Sequence, residues 1–297
     1  MNFTHLKSFV AVANAGSVTR AAAELHLTQP AVSFHIKALE QDLGLKLFVR
    51  VGRRIELTEG ARVVLPYAEA IFNVSDRLHR EIRSRSSHRS QTIYLGSGVF
   101  FAEHYLPEIL AAFRRQCPEV DIRCETMQTR ALIRRVQSFD YDFAFLGDVD
   151  ADQQLEVVEL ASDEIILIVA PDHPLSVRTT IPVDELANWP LIGYPDQSET
   201  QAIIDDLFKA HRVRPATVLT FASSEGLKRA VEAGIGIALI PRKPAARELE
   251  AGSLKSLKIR GIPLRRRYTL VSHRDNPLSA SANAFRSTVL KWKARRR

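Results

Sequence analysis

SVTRAAAELHLTQPAVSFHIKALEQDLG, residues 17 to 44, carries two short apolar runs at helical spacing. Val18, Ala21, Ala22 and Leu25 make the first, and Val32, Ile36 and Leu39 the second, with a break at His26 to Thr28. Ser17 is placed to cap the first helix and Thr28 the second, while Pro30 falls in a first turn, where a missing N–H costs little. Gly44 is a natural stop. Gln29, Ser33 and Phe34, at the start of the second helix, point away from the apolar stripe. Two helices joined by a tight turn, with free side chains at the start of the second, fit a DNA major groove.

Upstream, Phe3, Leu6, Phe9, Val10 and Ala13 predict a first helix over Phe3 to Ala13, ended by Gly16. Downstream, Leu47 to Arg50 and Ile55 to Leu57 read as short strands around a turn at Val51 to Arg54. Arg50, Arg53 and Arg54 make this hairpin basic. Standing alone it would be a solvated loop; beside a helix pair, phosphate contact is the better reading.

The run from Phe9 to Thr58 resembles the N-terminal domain of LysR-type transcriptional regulators. Ser17, Ala21 to Ala23, Leu25, Gln29 to Ser33, Leu39-Glu40, Leu43-Gly44, Leu47-Phe48, Arg50 and Leu57-Thr58 match that family's pattern in order and spacing. Phe34 departs from it, standing where a basic or polar residue is usual, and Gly60-Ala61 inverts the common order. The resemblance implies a winged helix-turn-helix over residues 1–58, with Thr28, Gln29, Pro30, Ser33, Phe34, Arg50, Arg53 and Arg54 at double-stranded DNA.

Composition agrees with a polyanionic partner. The formal charge is +7, and residues 1–90 carry 13 Lys and Arg against 8 Asp and Glu, so most of the excess lies with the helix pair. No apolar run approaches the length a bilayer requires. The N-terminus is already an amphipathic helix without the features of a secretory signal, which predicts a cytoplasmic protein. Cys117 and Cys124, seven residues apart on an extended segment, would stand roughly 20 Å apart, beyond disulfide reach. Both are expected to be reduced.

Thr58 is placed to cap a long helix. Val64, Ala68, Ile71, Ser75, Leu78 and Ile82 follow heptad spacing with one polar position, and such a stripe needs a partner. It could pack on its own chain. The resemblance implies a linker helix over 59–90 that pairs two copies through Val64, Ala68, Ile71, Leu78 and Ile82, giving a homodimer or homotetramer. Pro66 is expected to bend it. Ser84 to Ser90 reads as a polar hinge.

From Thr92 the pattern becomes α/β. Strands are expected at Ile93 to Leu95, Val120 to Cys124, Phe143 to Leu146, Ile165 to Ala170, Leu191-Ile192, Val218 to Phe221, Ile237 to Ile240 and Tyr268 to Val271. Helices are expected at about 103–115, 129–138, 200–211, 224–233 and 280–293. DYDFAFLG, HPL and VEAGIGIALIP extend the resemblance. They imply a two-lobed effector-binding domain over 91–297, like type 2 periplasmic binding proteins. Lobe I would take about 91–164 and 268–297, and lobe II about 165–267.

Asp148, Asp150, Asp152, Leu155 and Glu159 approach a calcium-loop spacing, but Gln153 replaces the needed glycine and a strand precedes. No metal site is expected. Gly234-Ile235-Gly236 lacks the third glycine of a dinucleotide fingerprint. No nucleophile, zinc helix or phosphate-loop motif appears, so no cofactor and no enzyme activity are expected. Polar residues in loops ahead of helices suit a small anion, though each could be a plain cap. In the family such loops line the effector site, which points to Ser97, Gly98, Thr126, Thr129, Ser198, Thr200 and Ser224, with Val99, Phe100 and Phe101 as apolar walls. The implied function is a DNA-binding regulator controlled by a small, anionic effector, with RNA polymerase as a further partner of an activator. A solute-binding protein with an accessory domain, and an enzyme on the α/β lobes, are the rivals.

Overall fold

The computed structural model describes residues 1–52, 54–87, 92–149 and 152–294. Arg53, Asp150 and the end of the expected hinge at 88–90 lie outside them. Three helices come first: α1 (Phe3–Ala15), α2 (Val18–Glu24) and α3 (Gln29–Leu43). Each start has its cap. Asn2, Ser17 and Thr28 accept from backbone N–H groups, and Gly16 and Gly44 end α1 and α3 in the left-handed region at φ 62° and 68°. Leu6, Phe9, Val12, Val32, Leu39 and Leu47 are buried together, each contributing about 1.5–3 kcal/mol by leaving water. Glu40, at the end of α3, accepts from the Leu47 N–H at 2.9 Å and from Lys46 at 2.7 Å, fastening the wing to the helices. The wing is β1 (Phe48–Val51) against β2 (Arg54–Leu57), antiparallel.

Next comes α4 (Glu59–Ser87), with the Thr58 hydroxyl accepting from the Ala61 N–H at 3.0 Å. The helix continues through Pro66 and takes in the first residues of the expected hinge. The expected seam is split. Ala68 is 1% exposed, and Val64 and Ile71 pack with it against the chain's own winged domain, whereas Leu78 and Ile82 are 58% and 55% exposed. On the N-terminal half, the outward apolar residues are instead Val63 and Tyr67, both 61% exposed. Ala68 is therefore spent within the chain, while Val64 and Ile71 are only partly covered. A 3.6-residue period defines a stripe, and contact with α1 decides which residues of it are spent at home.

Lobe I takes β3 (Thr92–Ser97), α5 (Val99–His104), α6 (Leu106–Gln116), β4 (Asp121–Thr126), α7 (Thr129–Gln137) and β5 (Phe143–Leu146). Then β6 (Leu155–Val169) runs 15 residues as one strand through both lobes. Lobe II holds β7 (Thr180–Ile181), β8 (Leu191–Gly193), α8 (Glu199–His211), β9 (Thr217–Thr220), α9 (Ser224–Glu232), β10 (Ala238–Pro241), α10 (Ala246–Ala251) and β11 (Lys255–Ile259). The chain returns along β12 (Arg265–His273) and ends the described part in α11 (Ala280–Ala294). Lobe I has strand order β4-β3-β5-β12-β6. The second half of β6 is flanked by β10 and β11 in lobe II, with β7 beyond β11. Each lobe buries apolar residues on both faces of its sheet.

The first half of β6, LEVVELASDE, escaped the sequence reading because its acids and small residues lack strand propensity. Pairing with β12 makes it a strand. Arg265, Arg266 and Arg267 stand opposite Glu164, Asp163 and Ser162 in the backbone ladder, while their side chains reach Ser162, Glu199 and Asp148. Glu159 lies within β6, which leaves the acidic spacing without its loop. Both cysteines are free thiols; desolvation and the Glu125 carboxylate push that of Cys124 up to about 11.

Candidate functional site

Two surfaces bring candidate residues together. On α3, Thr28, Gln29, Pro30 and Phe34 are exposed and Ser33 is half-buried. Gln29, Ser33 and Lys37 follow one another at four-residue steps on one face, so Lys37 joins a set that the sequence reading left without it. Phe34, 65% exposed, keeps edge contact with the rings of His5 and His35. In the wing, register puts Arg50 on the face with Phe48, Ile55 and Leu57, and Arg54 on the opposite face with Val49 and Val51. Both are exposed. The double variant Arg50→Ala/Arg54→Ala is expected to weaken binding to all DNA sequences and to lower the salt slope by about one for each phosphate no longer neutralised, read by salt titration. An unchanged slope would remove the wing from the interface.

The second surface is a cleft of about 350 Å³ between the lobes. Gly98, Phe100 and Thr129 come from lobe I, and Tyr194, Ser198, Thr200 and Ser224 from lobe II. Five of the seven expected residues thus meet. Ser97 does not reach it: it is fully buried, and its hydroxyl donates to the Gly98 carbonyl at 2.9 Å. Thr126 ends the exposed edge strand β4, and the turn from strand to helix brings Met127 to Thr129 inward in its place. Phe101 is core as well, stacked on Phe145 at 4.8 Å, which leaves Phe100 as the aromatic wall. Thr200 lies inside α8, which Ser198 begins, so it is no cap.

Arg266 organises the cleft, and the sequence reading passed over it. Its guanidinium donates to the Thr200 hydroxyl at 2.6 Å and to Oε2 of Glu199 at 2.7 Å. The charge lies 5.1 Å from the ring centres of both Phe100 and Tyr268. The other oxygen of Glu199 accepts from the Thr129 hydroxyl, so one carboxylate joins the two lobes. Gly147 makes room for it, since a Cβ there would collide with Oε2 of Glu199. Burial pushes Tyr194 up to about 12, which keeps it a neutral hydroxyl at 3.0 Å from that of Ser224. A signal for Arg266 was present in the run Arg265 to Arg267, where the chain recrosses between lobes.

A third contact connects cleft and linker. Helix α7 begins at Thr129 in the cleft, and at its other end the Ser138 carbonyl accepts from the Asn73 amide of α4 at 2.7 Å. Glu69 of α4 faces the same junction; burial pushes its carboxyl above the ordinary range, against the pull of Arg135 and Arg134. Among the described residues no cluster of His, Cys, Asp or Glu could hold a metal ion, and no helix is long and apolar enough to cross a membrane.

Comparison with known proteins places this arrangement. Residues 3–62 match the bacterial regulatory helix-turn-helix proteins of the lysR family, and residues 86–294 match the LysR substrate binding domain. A RuBisCO operon transcriptional regulator of Allochromatium vinosum is 30% identical, over 99% of this chain and 97% of its own. The transcriptional activator CmpR of Synechocystis sp. is 28% identical, over 93% and 91%. Among solved structures, the LysR family regulator CbnR shares the fold with a TM-score of 0.67 at 21% identity, covering 99% of both chains. A full-length variant of OxyR from Pseudomonas aeruginosa has a TM-score of 0.69 at 16% identity, covering 97% and 94%. The winged helix-turn-helix, the long helix and the two-lobed domain thus recur together, and this chain belongs to the LysR family of DNA-binding transcriptional regulators controlled by small-molecule effectors, not to the enzymes.

Proposed function

We propose that this regulator grips a two-fold DNA site as a dimer or tetramer, and that a small molecule with an anionic group, bound between the lobes, changes the grip. The observation that carries the reading is Arg266, sunk in a cleft whose polar groups come from both lobes. A ligand touching both lobes gains its full contacts only when they close. Gln29 and Ser33 read base edges, while Thr28, Arg50, Arg53 and Arg54 hold phosphates and Pro30 and Phe34 flank them. The outward stripe of α4 pairs two copies. RNA polymerase is a further partner where the protein activates, and a DNA target places the protein in the cytoplasm.

The coupling route follows from α7, with the cleft at one end and Asn73 at the other. Closure that moves α7 pulls on α4 and so re-aims the recognition helices. Effector and operator then share one coupling free energy of about 1–3 kcal/mol. A thermal-shift screen with small carboxylates and oxyanions finds the ligand, and footprinting follows with and without it. Asn73→Ala is expected to keep ligand binding and basal DNA binding while losing the ligand-dependent change in footprint. Thr129→Ala and Ser198→Ala should lose the ligand response at its source. A ligand indifferent to Thr129→Ala, Ser198→Ala and Arg266→Gln together would place the effector site elsewhere.

A further inference from the structure

We infer that Glu199 is a resident carboxylate seated in the anion subsite of the cleft, and that the effector works by displacing it with a carboxylate or phosphate group of its own. The inference rests on the effector reading of the cleft given above. Arg266 is 11% exposed in its side chain, and its Nε is buried with no hydrogen-bond partner among the described residues. A desolvated guanidinium with a donor to spare is built for an oxyanion. Two helix starts add to it: α7 and α8, of 9 and 13 residues, begin at this cleft without a side-chain capping bond. Their first N–H groups favour negative charge.

Glu199 answers all of this from within the chain. As the first residue of α8 it offers one oxygen to Arg266 and the other to Thr129 at the start of α7. With Glu199 seated, the Arg266 charge is matched while Glu103 still lines the cleft, so an incoming anion gains little unless Glu199 leaves. At 29% exposure the carboxylate is within reach of solvent and can swing out. Its departure also frees Thr129, and with it the cleft end of α7. Binding and release of the lobe-to-lobe bond are then one event, which makes Glu199 the residue that selects for anions strong enough to compete.

The test is calorimetry on the full chain with inorganic phosphate, sulfate and malonate, comparing wild type with Glu199→Gln, Arg266→Gln and Gly147→Ala. Glu199→Gln keeps one acceptor oxygen for Arg266, and its amide NH2 can donate to the Thr129 hydroxyl, but the competing charge is gone; it is expected to tighten anion binding roughly tenfold. Arg266→Gln should abolish it. The malonate and phosphate arms show which oxyanion the subsite prefers. Gly147→Ala pushes the carboxylate off its seat with the charge kept, and should tighten binding in the same direction by a smaller factor; it carries the test if Glu199→Gln does not fold. If Glu199→Gln leaves unchanged, or weakens, every anion that Arg266→Gln loses, Glu199 is a fixed strut and the inference falls while the cleft reading stands. Anions bound equally well by Arg266→Gln would overturn the cleft reading itself. Absence of anion binding in both wild type and Glu199→Gln would also overturn the inference.

Discussion

Leu78→Glu is expected to leave the protein monomeric in sedimentation velocity and to lower its affinity for a two-fold DNA site by about a hundredfold or more. Leu78 and Ile82 stand 58% and 55% exposed on the outer part of α4, one helical turn apart, with Val74 a turn earlier at 38%. Exposed apolar residues at that spacing suit a helix–helix seam, and a carboxylate in such a seam would be stripped of water without an opposite charge. The DNA effect follows because a dimer binds its second half-site as an intramolecular event. Ile71→Glu is not an equivalent test, since Ile71 packs on the winged domain and its loss would disturb folding first. A sedimentation profile unchanged by both Leu78→Glu and Ile82→Glu would show that α4 does not hold the copies together.

Gln29→Ala is expected to cost about 1–3 kcal/mol of discrimination between a selected site and scrambled duplex, with little change in binding to the scrambled one. Gln29 is the first residue of α3, exposed, and directly follows the capping Thr28. A helix entering the major groove presents its first turn to base edges, and a glutamine there can hold an adenine through two hydrogen bonds. Substitution by alanine leaves the cap and the buried face of Val32, Ile36 and Leu39 untouched, so folding is preserved. Ser33→Ala, one turn on, should act in the same way but less. Competition binding on sites selected from random duplexes provides the measurement. Equal loss on specific and scrambled DNA would make Gln29 a phosphate contact.

The sequence alone determined the helix-turn-helix, because every signal there is local. Ser17 and Thr28 cap from three residues away, Gly16 and Gly44 supply left-handed ends, and the apolar face of each helix lies within its own turn spacing. The lobes were legible for the same reason wherever strands were apolar, as in Phe143 to Leu146, whose residues are all buried. What tertiary structure decided lies between segments. The stripe on α4 was visible, but contact with the winged domain chose which of its residues remain outward. The first half of β6 and the arginines opening β12 are strands because each backbone supplies the other's ladder partners, a pairing no window of one segment can contain. The ion pair of Glu199 with Arg266 joins residues 67 positions apart, and the bond from Glu199 to Thr129 spans 70. Local propensity reads neighbours in the chain; the centre of this cleft is made by the folding of two lobes that share strand β6.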